Sequence, residues 1–193
     1  VGCARQHQDI PGLTDGVDDG DSVSIGAVEG RVWLTEGHID GHVSYIFDDA
    51  LFCGDTLFSA GCGYLFDGPP SKMHDSLIRL SGLPSNTYVF CAHEYTQDNL
   101  RFAWSVEPEN IALRRRIHDV WGQRMIGCSV VPSTIEMERK TNPFMRTNTP
   151  NITRHFGSED GSPVDSVEVF TRLRALKDQK KYRAVSDEEL PIQ

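Results

Sequence analysis

Three short segments carry the residues best suited to chemistry: Gly37-His38-Ile39-Asp40-Gly41-His42, Gly54-Asp55-Thr56 and Ala92-His93-Glu94-Tyr95. Each sets an imidazole or a carboxylate where an apolar run gives way to glycine or polar residues. In α/β proteins reactive groups collect on the loops beyond strand ends. Neutral imidazole and carboxylate are also the donors that zinc and similar divalent metals take up. His38 and His42 stand four apart, a spacing that would put both on one face of a helix. Gly37, Gly41 and the strand-like run that follows argue for a loop instead, with His38 at its tip, so the two imidazoles need not share a metal. Asp40 reads as a loop residue. A carboxylate at Asp55, just past the apolar run Ala50–Cys53, needs a cation or hydrogen bonds. Alone, Asp55 is equally a turn cap and His93 a hydrogen-bonded strand-end histidine. Together, in this order, the three segments point to metal ligation.

The elements that must position these groups are legible in outline. Ser22–Val28 and Arg31–Leu34 read as two short strands around a glycine-bearing turn. Val43–Phe47 and Ala50–Cys53, joined by Asp48-Asp49, form an expected hairpin ending at Asp55. Gly61-Cys62-Gly63 breaks regular structure. Ser71, after Pro69-Pro70, fits an N-cap, and Met73, Leu77, Ile78 and Leu80 mark the apolar side of the helix it would open, with Leu83-Pro84 ending it. Thr87–Cys91 is a strand that stops at His93. Helices are expected over Thr96–Val106, Pro108–Trp121 and Asp165–Lys177, the last carrying Val167, Phe170, Leu173 and Leu176, with an irregular polar stretch over Val130–Pro150. Strands first and helices later predict an α/β layer (residues 1–95) followed by a small helical domain (residues 96–193).

Composition narrows the function. The chain has 193 residues and a net charge of −9, which argues against a nucleic-acid surface. No run approaches the ~18 apolar residues of a membrane span. The basic residues Arg172, Arg174, Lys177, Lys180, Lys181 and Arg183 cluster near the end of the last helix. They read either as a solvated helix terminus or as a local site for an anionic small molecule. Five cysteines without a CxxC pair fit a reducing cytosol rather than a disulfide scaffold. His7 sits in a polar loop without a partner pattern, and His74, His118 and His155 read as surface residues.

In chain order, G-H-x-x-G-H (37–42), L-F-C-G-D-T-L-F-S-A-G-C-G (51–63), A-H-E-Y-T (92–96), N-P-F-M-R (142–146) and L-K-D-Q (176–179) resemble the glyoxalase II family of the metallo-β-lactamase superfamily. The resemblance covers roughly residues 20–183. It implies the C-terminal part of an αββα sandwich followed by a helical glutathione-binding domain. It also implies a monomeric, cytoplasmic enzyme that hydrolyses the thioester S-D-lactoylglutathione to D-lactate and glutathione. Two divalent metals, zinc with iron or manganese as alternatives, would lower the pKa of a bound water from ~15.7 to ~7 and stabilise the oxyanion. By the same resemblance His38 would bind one metal, His93 the other, and Asp55 both. Tyr64, Phe66, Tyr95, Arg174 and Lys177 would contact glutathione. Arg174 and Lys177, three apart, share a helix face, as holding one carboxylate requires. Some relatives carry a basic residue where Tyr64 stands. The N-P-F-M-R segment is expected to pack the two domains together.

One departure is large. The family's T-H-x-H-x-D-H motif, which supplies further ligands to both metals, is absent from these residues. With Val1 where an initiator Met would stand, the expectation is a longer parent enzyme, with activity only in that full-length form. The alternative is a non-catalytic relative that binds glutathione conjugates. A third reading, a single-iron persulfide dioxygenase of the same superfamily, is disfavoured by the N-P-F-M-R and L-K-D-Q tail.

Overall fold

The computed structural model describes residues 1–6, 10–156 and 164–192. In chain order the strands are β1 (Gly2–Cys3), β2 (Gly16–Val17), β3 (Ser22–Ile25), β4 (Val28–Leu34), β5 (Val43–Phe47), β6 (Ala50–Gly54), β7 (Leu57–Phe58), β8 (Gly61–Cys62), β9 (Tyr88–Cys91) and β10 (Ser133–Thr134). The helices are α1 (Pro70–Ser81), α2 (Thr96–Val106), α3 (Ile111–Met125), α4 (Ile135–Thr141), α5 (Pro150–Phe156) and α6 (Ser166–Asp178).

Six strands form one mixed sheet in the order β10-β9-β6-β5-β4-β3. Only the β6–β9 pair is parallel. Since β5 is antiparallel to both β4 and β6, the strands β4, β6 and β9 run the same way. Their C-terminal ends, and the loops that follow, therefore lie along one edge of the sheet. This single fact of topology brings the three candidate segments together.

Alternation along β5 and β6 sends Ile46, Leu51 and Cys53 to one face, joined by Val89 of β9. That face packs on α1, whose Met73, Leu77 and Leu80 are fully buried. Their spacing of four and three residues is one helix face, and burying each such side chain contributes about 1.5–3 kcal/mol. The opposite face carries Tyr45, Phe47, Phe52 and Phe90, with Phe52 stacked on Phe90 at 5.0 Å. Past α1 lies an aromatic cluster of Phe102, Phe144 and Phe170, all fully buried. Helix α2 joins two cores. Phe102 and Val106 face this cluster, while Leu100 and Ala103 pack with Leu113, Ile117 and Trp121 of α3.

Several expectations need correction. Helix α1 begins at Pro70, and Ser71 lies inside its first turn. Pro69 holds the N-cap in extended backbone, and Pro70 supplies a preset helical φ at a position whose N–H has no partner to lose. Val28 belongs to β4, not to the strand before it. Helix α3 starts at Ile111 because Asn110 Oδ1 accepts the Leu113 N–H at 3.0 Å. Gly61-Cys62 is not a break but a strand paired with β7. The stretch 130–150 is also structured. It adds β10 to the sheet edge, then α4, capped by Thr134 Oγ1 on the Met137 N–H. The short α4 escapes periodicity because its buried face is Ile135, Glu138 and Thr141, two of them polar. His74 is 6% exposed, with Nε2 3.2 Å from Thr147 Oγ1, and is not a surface residue. His118 and His155 are exposed, and His7 lies outside the described residues.

The N-P-F-M-R segment packs as expected. Asn142 donates to the Gly61 carbonyl at 2.9 Å, Phe144 fills the aromatic cluster, and Arg146 forks onto both Glu107 carboxylate oxygens at 2.9 Å. Among the described residues no helix is long and apolar enough to cross a membrane.

Candidate metal centre

His38 follows β4, Asp55 follows β6 and His93 follows β9, and the three side chains meet at the shared sheet edge. His38 Nε2 stands 4.0 Å from Asp55 Oδ2, and His93 Nε2 stands 3.6 Å from Asp55 Oδ1. Each imidazole thus faces a different oxygen of one carboxylate. The three side chains are 19%, 30% and 52% exposed respectively, so solvent and ligands reach them.

The His38 ring has its tautomer set by a neighbour. Its Nδ1 lies 2.8 Å from the Tyr64 carbonyl oxygen. A carbonyl can only accept, so Nδ1 carries a proton, and Nε2 is the ring nitrogen turned toward Asp55. The loop bearing Tyr64 is pinned in turn by Phe66 N–H donating to the His38 carbonyl at 3.0 Å.

Asp55 rests on His42. The Asp55 backbone N–H donates to His42 Nε2 at 3.3 Å, which places the His42 proton on Nδ1. Nδ1 lies 3.0 Å from Thr56 Oγ1, and that hydroxyl gives its own proton to the Thr35 carbonyl at 2.8 Å. Thr35, Ser44 and Thr56 are fully buried. Burial, and then the nearby His38, push the His42 imidazole to lower pKa, which keeps it neutral. His42 is therefore a support beneath the carboxylate and not a second donor beside His38. The sequence shows the residue but not this role.

Two glycines make the approach possible. Gly54 has φ +50, the left-handed region, and a Cβ there would lie 2.7 Å from His42 Nε2. A Cβ on Gly63 would lie 1.9 Å from the Asp55 carbonyl oxygen. Only glycine lets the chain exit β8 against Asp55.

Aromatic rings flank both imidazoles. Phe66 meets His38 edge-on at 5.1 Å and Tyr64 at 4.9 Å, and Tyr95 stacks on His93 at 5.0 Å. Tyr64, Phe66 and Tyr95 are each at least half exposed. The basic cluster is different. Arg174 is buried, with Nη1 3.3 Å from the Cys62 carbonyl and Nη2 2.6 Å from Asp178 Oδ1. Lys177 is buried and donates to Asn99 Oδ1. Arg172 pairs with Glu168 and Arg183 with Asp98. The structure thus gathers His38, Asp55, His93, Tyr64, Phe66 and Tyr95 around one opening, and sets Arg174 and Lys177 behind the Cys62 loop.

The donor set fits two metal half-sites. Zinc–nitrogen and zinc–oxygen bonds of ~2.0–2.2 Å at a tetrahedral angle would hold donor atoms about 3.4 Å apart. The His93–Asp55 separation of 3.6 Å lies near that value, and the His38–Asp55 separation of 4.0 Å is longer. Among the described residues, no three His, Cys, Asp or Glu side chains converge on one point. Each half-site therefore has one imidazole and one carboxylate oxygen.

Two family models match the chain. One is described as the metallo-beta-lactamase superfamily, over residues 4–93. The other is described as the hydroxyacylglutathione hydrolase C-terminus, over residues 94–180. The chain is 46% identical to the hydroxyacylglutathione hydrolase of Methylococcus capsulatus, covering 92% of this chain and 69% of that one. It is 45% identical to the enzyme of that name from Aliivibrio fischeri, covering 90% and 69%. Among solved structures it resembles ETHE1 from Myxococcus xanthus, with a TM-score of 0.54 and 21% identity over 98% of this chain and 58% of that one. It also resembles a metallo-beta-lactamase from Staphylococcus aureus, with a TM-score of 0.52 and 17% identity over 91% and 45%. At these identities the structural matches establish the fold alone.

Proposed function

The chain belongs to the hydroxyacylglutathione hydrolase family of the metallo-β-lactamase superfamily, and from that premise we propose that it serves the hydrolysis of S-D-lactoylglutathione to D-lactate and glutathione. In this reading His38 and His93 would each hold one of two divalent ions, and Asp55 would offer a carboxylate oxygen to each. The observation that carries it is the Asp55 carboxylate, whose two oxygens face two different imidazoles. Zinc suits these donors, with iron and manganese as alternatives. Bound ions of this kind supply Lewis acidity and a hydroxide nucleophile near neutral pH.

The remaining work falls to the chain's own groups. The Tyr64 carbonyl holds a proton on His38 Nδ1 and so turns Nε2 toward the site. His42 and the buried threonines hold the Asp55 backbone in place. Tyr64, Phe66 and Tyr95 present exposed aromatic surface beside the metal ligands, suited to packing against the glutathione moiety. Arg174 and Lys177 hold the loop from behind. A glutathione carboxylate reaching them would compete with Asp178 for Arg174. Residues 1–95 then supply the metal side of the site and residues 96–193 the glutathione side. A monomer in a reducing cytosol fits the five free cysteines.

A second reading, a glutathione-conjugate binder without turnover, is favoured by one observation: each half-site holds only two donors among the described residues. Metal content and hydrolysis of S-D-lactoylglutathione, measured on the full-length form, separate the two. Bound zinc and thioester cleavage, both lost in Asp55→Ala, support the hydrolase. Normal metal loading and turnover in Asp55→Ala would remove the bridging role. Ligand binding with no cleavage in metal-supplemented protein would favour the binder.

A further inference from the structure

The hairpin β7–β8 connects the metal ligands to the helical layer. At its open end, Gly63 N–H donates to the Thr56 carbonyl at 3.3 Å and presses on Asp55, and the Tyr64 carbonyl sets the His38 ring. At its closed end, Ser59 and Ala60 form the turn, with Ala60 in left-handed backbone at φ 59. On one side Phe58 packs against Tyr95, with ring centroids 5.4 Å apart. The polar groups of this end go to side chains from the C-terminal half. Asn99 donates to the Ser59 carbonyl at 2.9 Å, Arg116 to Ser59 Oγ at 2.9 Å, and Asn142 to the Gly61 carbonyl at 2.9 Å. The Ala60 N–H donates to Glu138 Oε2 at 2.8 Å.

Glu138 is the centre of this clamp. It is fully buried, and Arg116 is 5% exposed. Its Oε1 accepts from Arg116 at 2.6 Å and from Ser133 at 2.5 Å, and its Oε2 accepts from Ala60 and from Asn142 at 3.0 Å. Replacing both partners of such a buried ion pair by apolar residues of the same volume is commonly neutral or stabilising, whereas removing one leaves the other charge unpaired. What an apolar residue cannot do is fix the direction of a backbone N–H in a turn whose non-glycine residue sits at positive φ.

We propose that Glu138 is a positioning residue for the metal centre. Its carboxylate, oriented by Arg116 and Ser133, fixes the Ser59–Ala60 turn. The rigid hairpin carries that constraint to Gly63 and Tyr64, and so to Asp55 and the His38 tautomer. The inference rests on the proposed function and deepens it by assigning a role to a residue of α4 that is not among the candidate ligands.

The test uses the metal-free chain, so its failure is distinct from failure of the hydrolase reading. Imidazole nitrogen shifts report the His38 tautomer, amide hydrogen exchange reports Gly63, and thermal unfolding reports the fold. In Glu138→Leu, Gly63 exchange should rise by about tenfold on loss of the turn hydrogen bond, and His38 should become a mixture of tautomers. Amide protection in α1 and α6 should persist. Glu138→Gln is the fold-preserving partner. It keeps the volume and one acceptor oxygen but turns its NH2 toward either Arg116 or the Ala60 N–H, so it should show the same changes to a smaller extent. If the Gln variant, or a folded Leu variant, leaves the His38 tautomer and Gly63 exchange as in the wild type, Glu138 does not position the site. If every amide loosens in parallel, its role is stability alone and the proposal fails.

Discussion

Replacing Lys177 by methionine should remove one contribution that makes stability rise with alkaline pH, by an amount that follows from where the ammonium sits. Lys177 is 8% exposed, on the buried side of α6. Its Nζ lies 5.3 Å from the Phe102 ring centroid and 5.7 Å from that of Tyr182. Burial, followed by the neighbouring Arg174 charge, lowers its pKa from 10.5 to about 8. Between those values the unfolded chain binds a proton that the folded chain has released, so Lys177 makes stability rise with pH across that window. Below pH ~8 the charged form is present in both states and its burial cost is felt in full. At 1.36 kcal/mol per tenfold change in proton affinity, the whole window is worth about 3 kcal/mol at most.

Cys62 and Tyr182 oppose this trend. Burial raises both, Tyr182 to about 12, so each favours the folded state less as pH rises through its range. The wild-type curve alone is therefore ambiguous, and the difference between wild type and Lys177→Met is the informative quantity. Methionine keeps the aliphatic contact with Phe102 and leaves Asn99 Oδ1 without its donor, a cost of about 1–3 kcal/mol with no pH dependence. Urea denaturation at intervals from pH 7 to pH 10.5 should show wild type gaining about 2–3 kcal/mol on the variant. A difference that stays constant with pH would show that the Lys177 charge is not strained by burial.

Other consequences are open to simple measurement. Gly63→Ala forces a Cβ to within 1.9 Å of the Asp55 carbonyl oxygen, so the strand exit must move and zinc uptake should fall sharply; unchanged uptake by chelator competition would contradict the close approach. Phe144→Ala empties the centre of the Phe102–Phe170 cluster and should destabilise by about 3–5 kcal/mol in urea denaturation, whereas a loss below about 1 kcal/mol would mean the cluster repacks. Arg174→Ala should raise KM for the glutathione thioester with a smaller change in kcat. A large fall in kcat at constant KM would place Arg174 in the chemistry instead of in binding.

How far the sequence reached can be judged residue by residue. His38, Asp55 and His93 could be singled out as candidates because each follows a strand signal, and a titratable group beyond a strand is visible in one dimension. The strands β5, β6 and β9 and the helix α2 were legible because their apolar residues repeat with the period of the element; α6 was legible as a helix, but its buried face is Val169, Phe170, Leu173, Arg174 and Lys177, and Leu176 is exposed. Helix α4 was not, because what it buries is a carboxylate and a hydroxyl. Nor was His74, whose ring lies edge-on to Phe170 at 5.9 Å, a residue distant in the chain.

By itself the sequence determined the residue types able to hold metal, their order, and through its motifs the family. Tertiary structure decided the rest. Placing β5 antiparallel between β4 and β6 brought three separated loops to one edge. The Tyr64 carbonyl chose the tautomer of His38. A backbone N–H turned His42 from a candidate ligand into a support, and burial withdrew Arg174 and Lys177 from the surface their charges suggest. Each of these depends on a partner far away in the chain, and the direction of a hydrogen bond or the depth of a charge has no periodicity from which to read it.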